Sequence, residues 1–142
     1  MKSATTTFAV FTALSLSGLS PAHAADYPPL YLEMALPEYP GATVTEIGRS
    51  NDTLEDGISV TLETGASYGE LRAFYEQALQ DAGWALQETP AMAAMRQAGM
   101  LDNFPFNALF CKGDGTGFAT NTTDFGTVRQ MNISVTRGAN GC

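Results

Sequence analysis

The clearest pattern in the chain is an apolar stripe at helical spacing between residues 67 and 84. Apolar residues recur there every three or four positions, the period with which one face of an α-helix repeats. They are Leu71, Phe74, Tyr75, Ala78, Leu79 and Ala82. Ser67 and Glu70 form the capping-box pattern that begins a helix, and Gly83 supplies the left-handed residue that commonly ends one. The pattern predicts an amphipathic helix over residues 67–82.

Alternating apolar and polar residues predict strands on both sides of this helix. Residues 58–62 and 131–135 alternate as half-buried strands do when one face meets water. Weaker patterns predict four more strands, at residues 42–47, 84–87, 106–112 and 118–123. Residues 106–112 are apolar on both faces, so we expect them near the centre of the sheet.

A second, shorter helix is predicted over about residues 90–100. Thr89 and Pro90 form a cap followed by proline at the first helical position, and strong helix formers follow. Strands, helices and further strands joined by short turns predict an α+β fold. We expect one small domain in which an antiparallel sheet carries the dominant helix and the shorter helix packed on it.

The methionines of the second helix leave two interpretations open. Met92 and Met95 share a helical face and Met100 follows, so their thioethers could bind the soft cation Cu(I). Methionine also fills gaps in apolar cores, and these residues fall close to one apolar stripe. We favour the core interpretation and keep Cu(I) binding as the alternative.

Residues 1–24 have the pattern of a secretory signal peptide. A short apolar run, residues 8–19, precedes the small-x-small cleavage site Ala22-His23-Ala24. This run is too short to span a bilayer, and no later run approaches the necessary length. We therefore expect cleavage before Ala25, a single domain over residues 25–142, and a periplasmic or extracellular location.

The expected export determines how Cys111 and Cys142 are interpreted. Two cysteines in an oxidising compartment favour a disulfide, which would tie the last residue of the sequence to a strand. Closing a loop of this length contributes about 3–4 kcal/mol to stability. A free buried thiol with a frayed terminus is the alternative.

Charge and histidine content exclude several classes of function. The chain has a net charge of −8, and loss of Lys2 with the signal peptide makes it −9. This acidity argues against nucleic acid and anionic membranes as partners. His23, the only histidine, also lies in the predicted signal peptide. The mature chain therefore has no imidazole for Ser-His-Asp or Cys-His catalysis or for a histidine-built zinc site.

Carboxylates are the remaining catalytic option. Glycosidases use two acids at a defined separation, but the spacing in this sequence selects no such pair. We predict no enzyme activity, no catalytic residue and no cofactor. A carboxylate-based hydrolase is the catalytic alternative that remains.

Binding to a protein or a cell-envelope component is the function that the sequence favours. The polar faces of the two clearest strands form a candidate docking surface, made of Ser59, Thr61, Glu63, Asn132, Ser134 and Thr136. An unpaired edge strand is another way to accept a partner. Tyr27, Tyr31 and Tyr39, in a proline-rich lead-in, either stack on a ligand such as a sugar or pack on the sheet. We favour packing.

Two short motifs resemble those of small exported bacterial proteins of largely unknown function. The first is Pro37-Glu38-Tyr39-Pro40-Gly41-Ala42, a P-x-YPGA motif. The second is Phe74-Tyr75 followed by Leu79 and Gly83-Trp84, an FY…L…GW helix. The resemblance implies export and a small α+β fold, and it transfers no catalytic residue.

Overall fold

The computed structural model describes residues 27–49, 57–138 and 141–142, and the fold is given for these residues. The predicted signal peptide and its cleavage site lie outside them. Among the described residues, no helix has both the length and the apolarity needed to cross a bilayer.

The described residues form three helices, one 3₁₀ turn and six strands. The helices are α1 (Pro29–Glu33), α2 (Tyr68–Asp81) and α3 (Pro90–Gln97), and the 3₁₀ turn is Leu101–Asn103. The strands are β1 (Thr43–Arg49), β2 (Gly57–Thr64), β3 (Ala85–Leu86), β4 (Ala108–Cys111), β5 (Gly117–Asp124) and β6 (Arg129–Thr136). They form one antiparallel sheet in the order β1-β2-β6-β5-β4-β3. The predicted α+β fold is confirmed.

Helix α2 begins and ends at the signals in its sequence. The main-chain N–H of Glu70 donates to the Ser67 hydroxyl, and the Glu70 carboxylate accepts from the Ser67 main-chain N–H at 2.8 Å. Beyond the helix, Gly83 has a φ of 85°, and the Trp84 N–H donates to the Leu79 carbonyl. This is the Schellman arrangement, which satisfies carbonyls that the helix itself leaves free.

The core lies between α2 and one face of the sheet. Leu71, Tyr75 and Leu79 of α2 are at most 1% exposed. The strand residues that face them are also buried: Ile58, Val60, Leu62, Phe110, Phe118, Met131, Ile133 and Val135. Tyr31 of α1 joins the same cluster, so the lead-in packs on the domain. Removal of this apolar surface from water is the main stabilising term of the fold.

Strand β4 does not occupy the central position expected for residues 106–112. It lies between β5 and the two-residue edge strand β3, whereas β6 and β5 form the middle of the sheet. Its apolar pattern has another cause. Phe110 is fully buried in the core, and Cys111, on the opposite side of the strand, is bonded to Cys142.

Helix α3 is attached by polar contacts. None of its residues is buried. Arg96 forms ion pairs with Glu76 of α2 at 2.7 Å and with Glu88 at 2.8 Å. Met100, just after the helix, is 50% exposed. Met100 is therefore not a core residue, and Met92 and Met95 are half-buried.

The predicted disulfide between Cys111 and Cys142 is present and joins β4 to the C-terminal segment. It is consistent with an oxidising, exported environment. Beside it, the backbones of Gly117 and Gly141 pack so closely that a Cβ on Gly117 would overlap the Gly141 carbonyl. The segment can reach Cys111 only because both positions are glycine.

Replacing Gly117 with alanine is expected to displace the C-terminal segment, because the added methyl group would overlap main-chain atoms. We expect Gly117→Ala to lower the free energy of unfolding by about 2–4 kcal/mol in urea denaturation. Gly113→Ala is the matched control, since a Cβ there meets no atom within 4 Å. Equal stability of the two variants would show that the segment does not pack on β5.

Candidate binding surface

The face of the sheet opposite α2 carries short polar side chains, and we call it the open face. Its residues alternate along β2, β5 and β6 with those that face the core. They are Ser59, Thr61, Glu63, Ala119, Asn121, Thr123, Gln130, Asn132, Ser134 and Thr136. Helices α1 and α2 pack on the other face, against the buried cluster. The open face includes all six residues that the sequence indicated as a docking surface.

Strand register arranges the open face in rows. One row is Thr61, Asn132 and Asn121, and the next is Ser59, Ser134 and Ala119. Neighbouring strands are about 4.8 Å apart and alternate residues of a strand about 6.8 Å apart, so the rows form a regular grid. The Asn132 side-chain amide donates to the hydroxyls of Ser59 and Thr61 at 3.1 and 3.2 Å. These bonds fix an exposed amide in the middle of the grid.

The outer edge of β1 is a less suitable docking surface. β1 pairs only with β2 among the described strands, so its other edge has no strand partner there. A register shift between Val44 and Glu46 interrupts the strand, and the Thr45 hydroxyl donates to the Thr61 carbonyl at 3.3 Å. Bulges and edge charges such as Glu46 discourage the addition of another strand.

The burial of Arg72 was not predicted from the sequence. Arg72 lies outside the apolar stripe of α2, yet it is only 4% exposed. Its guanidinium donates to the carbonyls of Leu101 at 2.6 Å and Pro105 at 3.3 Å. Burial lowers the pKa of Arg72, and the charges of Glu76 and Asp102 oppose this shift. Arg72 therefore fastens the 3₁₀ turn to α2, and no sequence signal near it identifies these distant partners.

Two surface clefts contain charged side chains that contact neighbouring residues of the fold. A cleft of about 350 Å³ beside α2 is lined by Arg72, Glu76, Arg96 and Asp102, which pair with one another. A second cleft of similar size lies between α1 and the turn before β5. There the Lys112 ammonium lies 4.9 Å from the centre of the Trp84 ring. Asp114 accepts from the Thr116 N–H, and this bond lowers the Asp114 pKa.

The tyrosines of the lead-in pack on the domain, as we favoured. Tyr27 and Tyr31 are buried, with ring centres 4.7 Å apart. The half-buried ring of Tyr39 packs edge-on against Phe74 at 5.0 Å. The Tyr31 hydroxyl donates to the Pro37 carbonyl at 2.6 Å. The rings of Tyr27 and Tyr31 are therefore not available as a platform for a sugar.

The buried hydroxyls of Tyr27 and Tyr75 have no hydrogen-bond partner among the residues that the structure describes. Burial raises the pKa of Tyr27 to about 12, and it raises the pKa of Tyr75 well above its usual value. The main-chain N–H of Tyr39 opposes this effect and lowers both pKa values, although it does not reach hydrogen-bond geometry with either hydroxyl. Because folding favours the protonated form, Tyr27 contributes stability that is present below pH 10 and lost as the pH rises towards 12.

A family model described as START domain-like matches residues 44–103. The matched segment runs from β1 through α2 to the 3₁₀ turn, which is less than half of the chain. No curated protein and no solved structure gives a significant match to the chain.

The different environments of two buried hydroxyls lead to opposite expectations for Tyr→Phe substitution. Tyr31→Phe removes a hydrogen bond and should lower the free energy of unfolding by about 1 kcal/mol. Tyr75→Phe removes an unpartnered polar atom and should leave stability unchanged or raise it by about 1 kcal/mol. Urea denaturation at pH 7 measures both. A larger loss for Tyr75→Phe than for Tyr31→Phe would contradict the assigned hydrogen bonds.

Proposed function

We propose that this chain is a non-catalytic exported domain that binds a protein or cell-envelope component through the open face. The observation that carries the proposal is the regular polar surface across β2, β6 and β5. The START domain-like similarity supports a binding role of a general kind. The partner acts in the periplasm or outside the cell.

The composition of the open face suits recognition by hydrogen bonds. Serine, threonine and asparagine have short side chains that lose little conformational entropy when a partner orders them. Glu63 is the single charged residue among the ten that define this face, and Glu46 of β1 is paired with Thr61 at its edge. Low charge favours a binding surface, because charged groups are costly to remove from water at the centre of an interface.

Export is proposed from three features that agree. The N-terminal pattern is that of a signal peptide, two motifs resemble those of exported bacterial proteins, and the Cys111–Cys142 bond suits an oxidising compartment. The proposed lack of catalysis rests mainly on the absence of histidine from residues 25–142.

Cu(I) binding through Met92, Met95 and Met100 is a second candidate, favoured by the absence of buried residues in α3. Thioethers outside the core are accessible to a soft cation. Adding Cu(I) under reducing conditions and recording methionine methyl resonances tests it. Under the leading proposal we expect no saturable shift, whereas a shift of all three methyls at one equivalent would establish the alternative.

Photocrosslinking from the open face tests the leading proposal. A photoreactive amino acid replaces Asn121, which is exposed at the middle of β5, and the protein is exported in cells of its source. We expect a discrete crosslinked product. The matched control replaces Gln80, which is exposed on α2 on the other side of the molecule.

Crosslinking of equal yield and identity from Asn121 and Gln80 would contradict binding through the open face. Absence of any product from Asn121 would count against it as well. Turnover of a substrate by purified residues 25–142 would contradict the non-catalytic part of the proposal.

A further inference from the structure

Three large apolar side chains are exposed at the end of the sheet where β5 turns into β6. Phe125 and Val128 lie in this turn and are 65% and 37% exposed, and Phe104 is 43% exposed. The Phe125 N–H donates to the Val128 carbonyl at 2.9 Å, so the turn has a defined shape. Exposed apolar residues that gather at one place are typical of interaction sites, whereas scattered ones need no explanation.

The start of α2 brings the two segments to the same end. Arg129, at the base of the turn, donates to the Ala66 carbonyl at 2.9 Å, and its guanidinium lies 4.9 Å from the Tyr68 ring centre. On the other side, a Cβ placed on Gly69 would lie 3.1 Å from the Asp102 side chain. The β5–β6 turn and the 3₁₀ turn that precedes Phe104 therefore both adjoin the first turn of α2. We call this surface the aromatic end.

Carboxylates beside the aromatic end are exposed, whereas its nearest cations are buried or half-buried. The Asp102 side chain is 75% exposed and lies 3.8 Å from that of Arg72, and the exposed Glu70 carboxylate also caps α2. The Arg72 side chain is 5% exposed and is bonded to main-chain carbonyls. Arg129 is held by Asp124 at 3.2 Å and by the Ala66 carbonyl. The outward-facing charge at this end is therefore negative.

We propose that the aromatic end binds a protein segment in which apolar side chains are flanked by lysine or arginine. Phe104, Phe125 and Val128 would bury the apolar side chains, and the adjacent acids would attract the cations. The inference rests on the proposed binding role but names a surface separate from the open face. It defines the partner by its charge, which the open face does not.

Charge distinguishes this partner from the other candidates. A second copy of the chain, with its net charge of −8, would bring Glu70 and Asp102 against the same acids. Nucleic acids and anionic membranes are repelled for the same reason. A zwitterionic membrane offers no lysine or arginine side chains to the acids, and it serves as an alternative outcome of the test.

Nuclear magnetic resonance titration with two synthetic peptides tests the inference. The peptides share the same length and leucine and phenylalanine content, but one has flanking lysines and the other flanking glutamates. In the disulfide-bonded protein, we expect the lysine peptide to shift the amides of Phe104, Phe125 and Gly126 saturably. We expect the glutamate peptide to leave them unchanged. The binding should weaken as salt is added.

Variants assign the apolar and charged contributions. Phe125→Ser should weaken binding of the lysine peptide about tenfold or more, and Asp102→Asn about threefold. Val128→Thr provides a second apolar test if Phe125→Ser changes the fold, which near-ultraviolet circular dichroism would reveal. Asn121→Ser on the open face is the control and should leave the affinity unchanged.

In the titrations, the inference would be overturned if the lysine peptide gave no saturable shift, if both peptides bound equally, or if only amides of the open face shifted. It would also be overturned if folded Phe125→Ser or Val128→Thr bound the lysine peptide with unchanged affinity. Shifts of the same amides by phosphatidylcholine vesicles, with none from the lysine peptide, would also overturn it. Crosslinking from Asn121 in any of these cases would leave the proposed function intact. Crosslinking that fails while the lysine peptide binds would count against the open face and not against the aromatic end.

Discussion

The burial of Tyr75 between α2 and the sheet is the contact on which the rest of the structure depends. Its ring centre lies 6.1 Å from those of both Phe106 and Phe118, and 6.3 Å from that of Tyr39. One side chain thus joins the helix, strand β5, the segment before β4 and the lead-in. Aromatic residues bury large apolar areas, so this cluster contributes strongly to stability on one side of the sheet.

Because the apolar strand residues face α2 on one side of the sheet, the residues between them face the opposite side. Antiparallel sheets that pack a helix layer on one face commonly leave the second face in water, and residues of alternate strand positions then become polar. Charged side chains would keep this face soluble equally well, yet in this protein it carries mainly short, uncharged side chains arranged in register. Most of the charged residues lie instead on the helices and at the turns, and ion pairs such as Glu76–Arg96 join α2 to α3. The open face and the aromatic end are therefore chemically distinct surfaces on one small domain.

Features that depend on local sequence could be predicted, whereas those that depend on distant contacts could not. The capping box of Ser67 and the terminating Gly83 define α2 within a few residues, and they agree with the structure. Strand order could not be predicted, because β2 pairs with β6, which follows it by more than sixty residues. The burial of Arg72 depends on carbonyls about thirty residues away. The alternation of apolar and polar residues indicated which side chains lie on the open face. How they align in rows could not be predicted, because that depends on the register between strands. The aromatic end had no local signal, because the segments that carry Phe104 and Phe125 are distant in sequence and both adjoin the start of α2 only in the folded chain.

Solvent accessibility of the two faces is the most direct test of this account, because binding by contact requires the open face to be free. A soluble gadolinium chelate enhances the relaxation of nuclei that solvent can approach. We expect strong enhancement for the side-chain amides of Asn121 and Asn132 and little for the methyl groups of Ile133 and Leu79. Protection of Asn121 and Asn132 equal to that of Ile133 would show that another part of the chain, or a second copy, covers the face. That result would contradict the account.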